Sequence, residues 1–248
     1  MKLGAVIEAR MNSSRLPGKV LLKINGKAVI HLMVNRLKRI KKVNKIVVAT
    51  TTNKKDDELC NYLRKHKIEY FRGSENDVLG RVYETAKLYK FKNIFHATGD
   101  CPLIDPEISS QMISMFFNNK FTVLFNSNIP SYPIGMDASV FSFKSLKLAN
   151  KLAKKKYYRE HSTLFFRKKS YFKKCNLFAP QNLNYPKLRL ILDEKEDFQL
   201  INKIYKRFKK TEQTFSCLEI VNFLNKNKNL LKINKKVKTT SLPIKIYS

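Results

Sequence analysis

Ala5–Leu22, read as AVIEARMNSSRLPGKVLL, is the stretch from which the rest of the chain is understood. The apolar run Leu3–Ile7 reads as a short buried strand. The residues after it include Arg10, Ser13, Ser14, Arg15, Pro17, Gly18 and Lys19, and apolar residues then resume. Pro17-Gly18 is the punctuation of a loop. A loop that leaves a strand end with this concentration of guanidinium, hydroxyl and ammonium donors is built to hold an anion, and a polyphosphate fits best.

The loop is neither of two common phosphate-binding patterns. Gly18-Lys19 is followed by Val20, and no glycine stands five positions earlier, so the G-x-x-x-x-G-K-[ST] spacing is absent. There is no G-x-G-x-x-G either. The run does resemble the loop of the sugar nucleotidyltransferases in the form A-R-M-x-S-x-R-L-P-G-K, which belongs to cytidylyltransferases that activate acidic sugars. It is most similar to the SpsF branch of that family, relatives of the acylneuraminate and 3-deoxy-octulosonate cytidylyltransferases. A basic surface loop is the plain alternative; the number of ordered matches argues against it.

The 248 residues suffice for one large domain with a sizeable core. Glu8 and Arg10 interrupt the first apolar run, so no targeting segment is expected there. No window approaches the roughly 20 apolar residues of a membrane span. The four cysteines, Cys60, Cys101, Cys175 and Cys217, are dispersed without a C-x-x-C, which fits a reducing cytoplasm and no zinc site. The net charge of +31 points naively to nucleic acid. The positive charge is spread along the chain, however, and abundant Lys, Asn, Ile, Phe and Tyr are also what AT-rich codons produce. Steering of anionic nucleotides would still follow from it.

Along the chain, short strands alternate with helices. Strands are expected at Ile46–Thr50, Ile68–Phe71, Ile94–Thr98, Phe121–Phe125, Ala138–Phe143 and Leu188–Leu192. Helices are expected from Val29 to Ile40, Lys55 to His66, Asp77 to Tyr89, after Asp105-Pro106, Lys144 to Lys155, Tyr157 to Lys168, after Asp193, and about Cys217 to Asn225. The pattern predicts an α/β fold, a mostly parallel central sheet flanked by helices. Residues 1–225 form one domain in this reading, and 226–248 a Lys/Asn-rich tail, loose or docked by Leu230, Leu231 and Ile233. Ligands of such sheets bind beyond the carboxyl ends of the strands. The Arg10–Lys19 loop and the segment after Thr98 should therefore converge.

Asp100 stands at one strand end and Asp193 at another. A divalent magnesium ion takes one or two carboxylates plus substrate oxygens. A turn residue at Asp100 and a helix cap at Asp193 are the alternatives. If the two meet, their like charges should repel, and neutralising either should leave thermal stability unchanged or slightly raised. Cys101 beside Asp100 has no base at motif spacing and is not expected to be a nucleophile.

The resemblance extends nearly to Phe208 and implies more. It implies a nucleotide-diphospho-sugar transferase (Rossmann-like) fold and a magnesium-dependent reaction of CTP with an acidic sugar. HATGDCPLIDPEI resembles the family's metal-binding G-D-x-P-L motif, and LRLILDEKEDFQLI its L-D-T-P-E-D-L segment, with Glu194-Lys195 replacing Thr-Pro. Asp100 and Asp193 are thereby implied as Mg²⁺ ligands, and Asp197 as structural. The implied nucleotide contacts are Ala9, Arg10, Ser13, Ser14, Arg15, Lys19, Thr52, Arg72, Arg81 and Asp100, with Lys19, Arg15 and Asp100 catalytic. Arg72 and Arg81 come from RGSENDVLGR, similar to R-G-S-x-x-D-V-L-x-R; a solvated helix arginine is the alternative for Arg81. Tyr132, Gly135 and Asp137, from a Y-P-x-G-x-D loop, and Glu160 and His161, from an R-E-H motif, are the implied acceptor contacts. The implied setting is surface polysaccharide or glycan biosynthesis in the cytoplasm, as a possible homodimer, with no membrane and no specific nucleic acid. Two rivals stay open: a nucleotidyltransferase using another nucleotide or a sugar phosphate, and a basic nucleic-acid-binding protein.

Overall fold

In the computed structural model, which describes residues 2–211 and 214–238, the first apolar run becomes an interior strand of a seven-stranded sheet. The elements follow in the order β1 (Leu3–Glu8), β2 (Lys23–Ile24), β3 (Lys27–Ala28), α1 (Val29–Leu37), β4 (Lys45–Thr51), α2 (Asp57–Lys65), β5 (Tyr70–Gly73), α3 (Val78–Leu88) and β6 (Asn93–Thr98). Then come α4 (Pro106–Asn118), β7 (Val123–Phe125), β8 (Ser139–Ser142), α5 (Phe143–Leu152), α6 (Lys156–Glu160), α7 (Leu164–Lys168), β9 (Lys174–Asn176), α8 (Lys195–Arg207) and α9 (Cys217–Lys226).

The large sheet has the order β5-β4-β1-β6-β8-β7-β9. β1 pairs in parallel with β4 and β6, placing Glu8 opposite Ala49 on one side and Thr98 on the other. β8 runs antiparallel to both neighbours, while β9 is parallel to β7. The sheet is therefore mostly parallel, as the alternating pattern predicts.

Strand alternation sends successive side chains to opposite faces. Ala5 and Ile7 pack under Ile30, Met33 and Leu37 of α1, with Val20 from the loop. Val6 packs with Leu79, Val82 and Ala86 of α3 and with Leu146 of α5. A third cluster joins Leu190 and Leu192 to Leu200, Ile201 and Ile204 of α8 and Ile220, Val221 and Leu224 of α9. Leu230, Leu231 and Ile233 pack against that cluster, so the described part of the tail is docked; residues 239–248 lie outside the described residues.

Three local expectations differ from the structure. Leu188–Leu192 is not a strand. Its backbone meets the chain only at isolated points, with Leu190 N–H donating to Ile134 O and Leu192 N–H to Asp100 O, which leaves no continuous ladder. Tyr157–Lys168 is two short helices, broken at His161. The β2–β3 hairpin was not anticipated, although Asn25-Gly26, both at positive φ, is a strong hairpin turn.

Candidate active site

The loop after β1 is closed on its own backbone. Met11 C=O accepts from both Ser13 N–H (3.0 Å) and Gly18 N–H (2.9 Å). Gly18 has φ +71°, a conformation that favours glycine, and the following turn drives Lys19 inward. Lys19 is buried, and its Nζ donates to Asp100 Oδ2 at 3.0 Å, Asp193 Oδ1 at 2.8 Å and Leu192 O at 2.9 Å. An ammonium has three donors, and here all three are used. Burial alone would lower the Lys19 pKa, but the Asp100 and Asp193 carboxylates more than reverse that and raise it.

Asp100 reaches this point because the chain turns at Gly99, where a Cβ would crowd Ala9 and the Glu8 carbonyl at 3.0 Å. Asp100 Oδ1 also accepts from Thr98 Oγ1 at 2.6 Å. Asp193 arrives through the backbone bond from Leu192 N–H to Asp100 O at 2.8 Å, which joins the segment before it to the turn after β6. Asp193 does not cap α8: Glu194 is the N-cap, in a reciprocal capping box with Asp197. The Asp193 carboxylate instead meets Arg15 Nη2 at 2.9 Å and Arg189 Nη2 at 3.2 Å. Burial pushes its pKa up, but Lys19, then Arg15 and Arg189, hold it below the usual carboxylate range. Asp197 is fully buried and takes a bidentate pair from Arg189, so it is structural, as implied.

The expected repulsion between Asp100 and Asp193 is thus overturned. The Lys19 ammonium stands between them, and removing either carboxylate leaves it with one partner fewer.

These groups line a cleft of about 430 Å³, within the usual range for small-molecule sites. Of the implied nucleotide contacts, Ala9, Arg10, Ser13, Ser14, Arg15, Lys19, Arg81 and Asp100 line it, as do Asp193, Glu160 and His161. Thr52 and Arg72 are not in the lining. Arg72 is turned to Thr51 O (2.8 Å), Asn53 O (3.0 Å) and the Asp57 carboxylate (2.7 Å), where it ties the ends of β4 and β5 together. The implied acceptor contacts are divided. Tyr132 and Asp137 line a second cavity of about 400 Å³ with Asn126, Ser127 and Lys187, and Gly135 N–H donates to Asp137 Oδ2 at 3.1 Å. Burial raises the Asp137 pKa.

Three contributors escape a reading of the motifs. Glu75 accepts from Asn53 Nδ2 (2.8 Å) and Asn12 Nδ2 (3.3 Å) and lies 3.7 Å from Arg10, so it orients the outer loop. Arg189 orients Asp193. Glu8, in the cleft lining, has Oε1 2.6 Å from His96 Nε2. No motif marked Arg189 or Glu8; Glu8 acts through the distant His96, and Arg189 through Asp193 and Asp197, four and eight positions on.

Two carboxylate oxygens converging on one cation position suit a divalent ion completed by substrate oxygens. Among the described residues no group of three or more His, Cys, Asp or Glu stands ready to hold a metal unaided. The residues present fit magnesium in that shared manner, and Asp100 and Asp193 are the carboxylates that would hold it, in the place the Lys19 ammonium takes here.

A cytidylyltransferase family profile matches residues 5–237. An uncharacterized protein of Methanocaldococcus jannaschii is 37% identical over 97% of this chain and 98% of its own length. The spore coat polysaccharide biosynthesis protein SpsF of Bacillus subtilis is 31% identical over 90% of this chain and 93% of its own. The structure of a cytidylyltransferase from Leptospira borgpetersenii superposes with a TM-score of 0.88 at 30% identity, covering 97% of this chain and 99% of that one. The converging loop and carboxylates are thus set in a frame shared over nine-tenths or more of the chain with these proteins, and the chain belongs to the cytidylyltransferase family.

Proposed function

We propose that this protein transfers the cytidylyl group of CTP to an acidic sugar, giving a CMP-sugar and pyrophosphate. The observation that carries the reading is the convergence of Asp100 and Asp193 on the ammonium of the anion-binding loop. A triphosphate needs clamped oxygens, charge neutralisation and an in-line nucleophile. Arg10, Ser13, Ser14 and Arg15 offer donors along the cleft. Mg²⁺ held by Asp100 and Asp193 would neutralise triphosphate charge and polarise its P–O bonds. Release of Lys19 from either aspartate frees an N–H for a phosphate oxygen, so the same lysine can stabilise charge on the departing pyrophosphate. The acceptor hydroxyl oxygen bonds to the α-phosphorus as the bond from that phosphorus to the bridging oxygen breaks.

The acidic sugar follows from the resemblance to acylneuraminate and 3-deoxy-octulosonate cytidylyltransferases, and surface polysaccharide or glycan synthesis from SpsF. A cytoplasmic homodimer belongs to the same reading. Among the described residues no helix is long and apolar enough to cross a membrane.

The test incubates the protein with each nucleoside triphosphate, Mg²⁺ and a panel of acidic sugars and sugar phosphates, with pyrophosphate detection. Release only with CTP and an acidic sugar supports the assignment. Release with another nucleotide or with sugar phosphates replaces it. No release, with salt-sensitive binding of DNA or RNA, would favour a nucleic-acid role.

A further inference from the structure

The reading above leaves Glu8 without a task. Its carboxylate lines a cleft otherwise equipped for a polyanion. A carboxylate there, apart from the Asp100–Asp193 pair that holds Lys19, opposes triphosphate binding unless the ligand brings a hydrogen-bond donor to it.

Glu8 is locked in place. His96 Nε2 lies 2.6 Å from Oε1, and His96 is itself held by Ser139 Oγ at 3.4 Å and Ser162 Oγ at 3.4 Å. Burial would raise the Glu8 pKa; His96, with help from Ser162 and Arg81, lowers it instead. Glu8 is therefore an anion at neutral pH. A carboxylate has about four acceptor sites, and these partners leave some free.

Arg81 lines the same cleft and is 4% exposed. Its Nη1 donates to Ser74 O, while its Nε is buried with no hydrogen-bond partner among the described residues. A buried unpaired donor is costly, and such a group in a cleft calls for a ligand acceptor.

Glu8 and Arg81 also lie on the correct side. Glu8 projects to the α3 face of the sheet, as Val6 does, whereas the loop residue Val20, next to Lys19, packs on the α1 face. A triphosphate on the loop leaves its nucleobase to the opposite, α3 side, where Val78 offers an apolar wall.

We propose that Glu8 and Arg81 together read the edge of the base, Glu8 accepting from the exocyclic amine of cytosine and Arg81 donating to a ring nitrogen or carbonyl beside it. This rests on the CTP reading above. A carboxylate is a suited acceptor for the cytosine 4-amine. Uracil presents a carbonyl oxygen at that position, which the Glu8 carboxylate repels. Glu8 is thus a specificity-determining residue that rejects UTP by charge as well as selecting CTP.

The test measures affinities of the full-length protein for CTP, UTP, ATP, GTP and inorganic tripolyphosphate by titration calorimetry in Mg²⁺. The wild type should bind CTP at least roughly tenfold more tightly than UTP. E8Q should cut that ratio by about tenfold or more, because its amide can face either base, with tripolyphosphate affinity unchanged or raised as a negative charge leaves the cleft. R81M should weaken both nucleotides against tripolyphosphate. A wild type that prefers CTP and an E8Q variant that keeps the preference overturns the role of Glu8 alone; this is also the result expected if Glu8 serves an amine on the acceptor. A wild type that prefers a purine nucleotide overturns the CTP reading, and this inference with it. If E8Q fails to fold, as loss of its cooperative melt would show, R81M decides, and wild-type CTP affinity in R81M overturns the pairing.

Discussion

Lys19 Nζ lies 2.8 Å from Asp193 Oδ1, although 174 positions separate the two residues. Asp100 holds the same nitrogen at 3.0 Å. The cleft therefore stores its anion-binding cation on the carboxylates proposed to hold metal. Substrate binding is an exchange of partners among charges already present.

Replacing Lys19 with Ala should lower kcat/KM by roughly 10²-fold or more, the usual cost of removing one electrostatic stabiliser. Lys19 is also buried, so K19A should lose about 1–3 kcal/mol of stability as its carboxylate partners lose a donor. Steady-state kinetics and thermal melts check the two effects. Near-normal turnover in K19A would contradict the phosphate role.

Asp193→Asn should destabilise the protein in the absence of nucleotide by about 1–3 kcal/mol, since Lys19, Arg15 and Arg189 all contact this carboxylate. The pH dependence has a definite sign. The folded pKa of Asp193 is depressed, so the stabilisation is fully present above the unfolded value of about 4 and is lost as pH falls through the folded value. The gap in Tm between wild type and D193N should accordingly close between about pH 4 and the acid limit of folding. Melts from pH 7 downward check it; a gap that stays constant would remove Asp193 from the ion-pair network.

Cys101→Ser should retain most activity. The thiol is fully buried, and burial, with the Asp100 charge beside it, holds its pKa well above the ordinary value. A protonated, enclosed thiol is a poor nucleophile. Complete loss of activity in a folded C101S protein, or a trapped nucleotidyl-enzyme, would contradict direct transfer.

The sequence carried the sheet, most helices and the phosphate loop because these use local chemistry: periodicity, Pro-Gly punctuation and donors packed into a few residues. It also placed Asp100 just past a strand end, whereas the segment before Asp193 is not a strand. The charge balance around them was not legible, since Lys19 meets Asp193 only through the fold, and Arg189, four positions before it, does so outside any helix. The same holds for Glu8, which reads as an interruption of a strand until His96 is brought to 2.6 Å. Arg72 shows the converse. Its motif suggested a nucleotide contact, but Asp57 and two carbonyls engage its guanidinium at the β4–β5 edge. The Leu188–Leu192 run looked like a strand because apolar residues that pack against α8 mimic one.

The central claim is that Asp100 and Asp193 act as one unit on the metal–triphosphate complex, and titration of CTP in Mg²⁺ and in chelator tests it most directly. For the wild type, Mg²⁺ should strengthen CTP binding by roughly tenfold or more. D100N and D193N should each lose most of that gain, and D100N/D193N should lose little more than the worse single variant, because groups serving one ion are non-additive. Equal CTP affinity with and without Mg²⁺ in the wild type, or losses that simply multiply in the double variant, would contradict the claim.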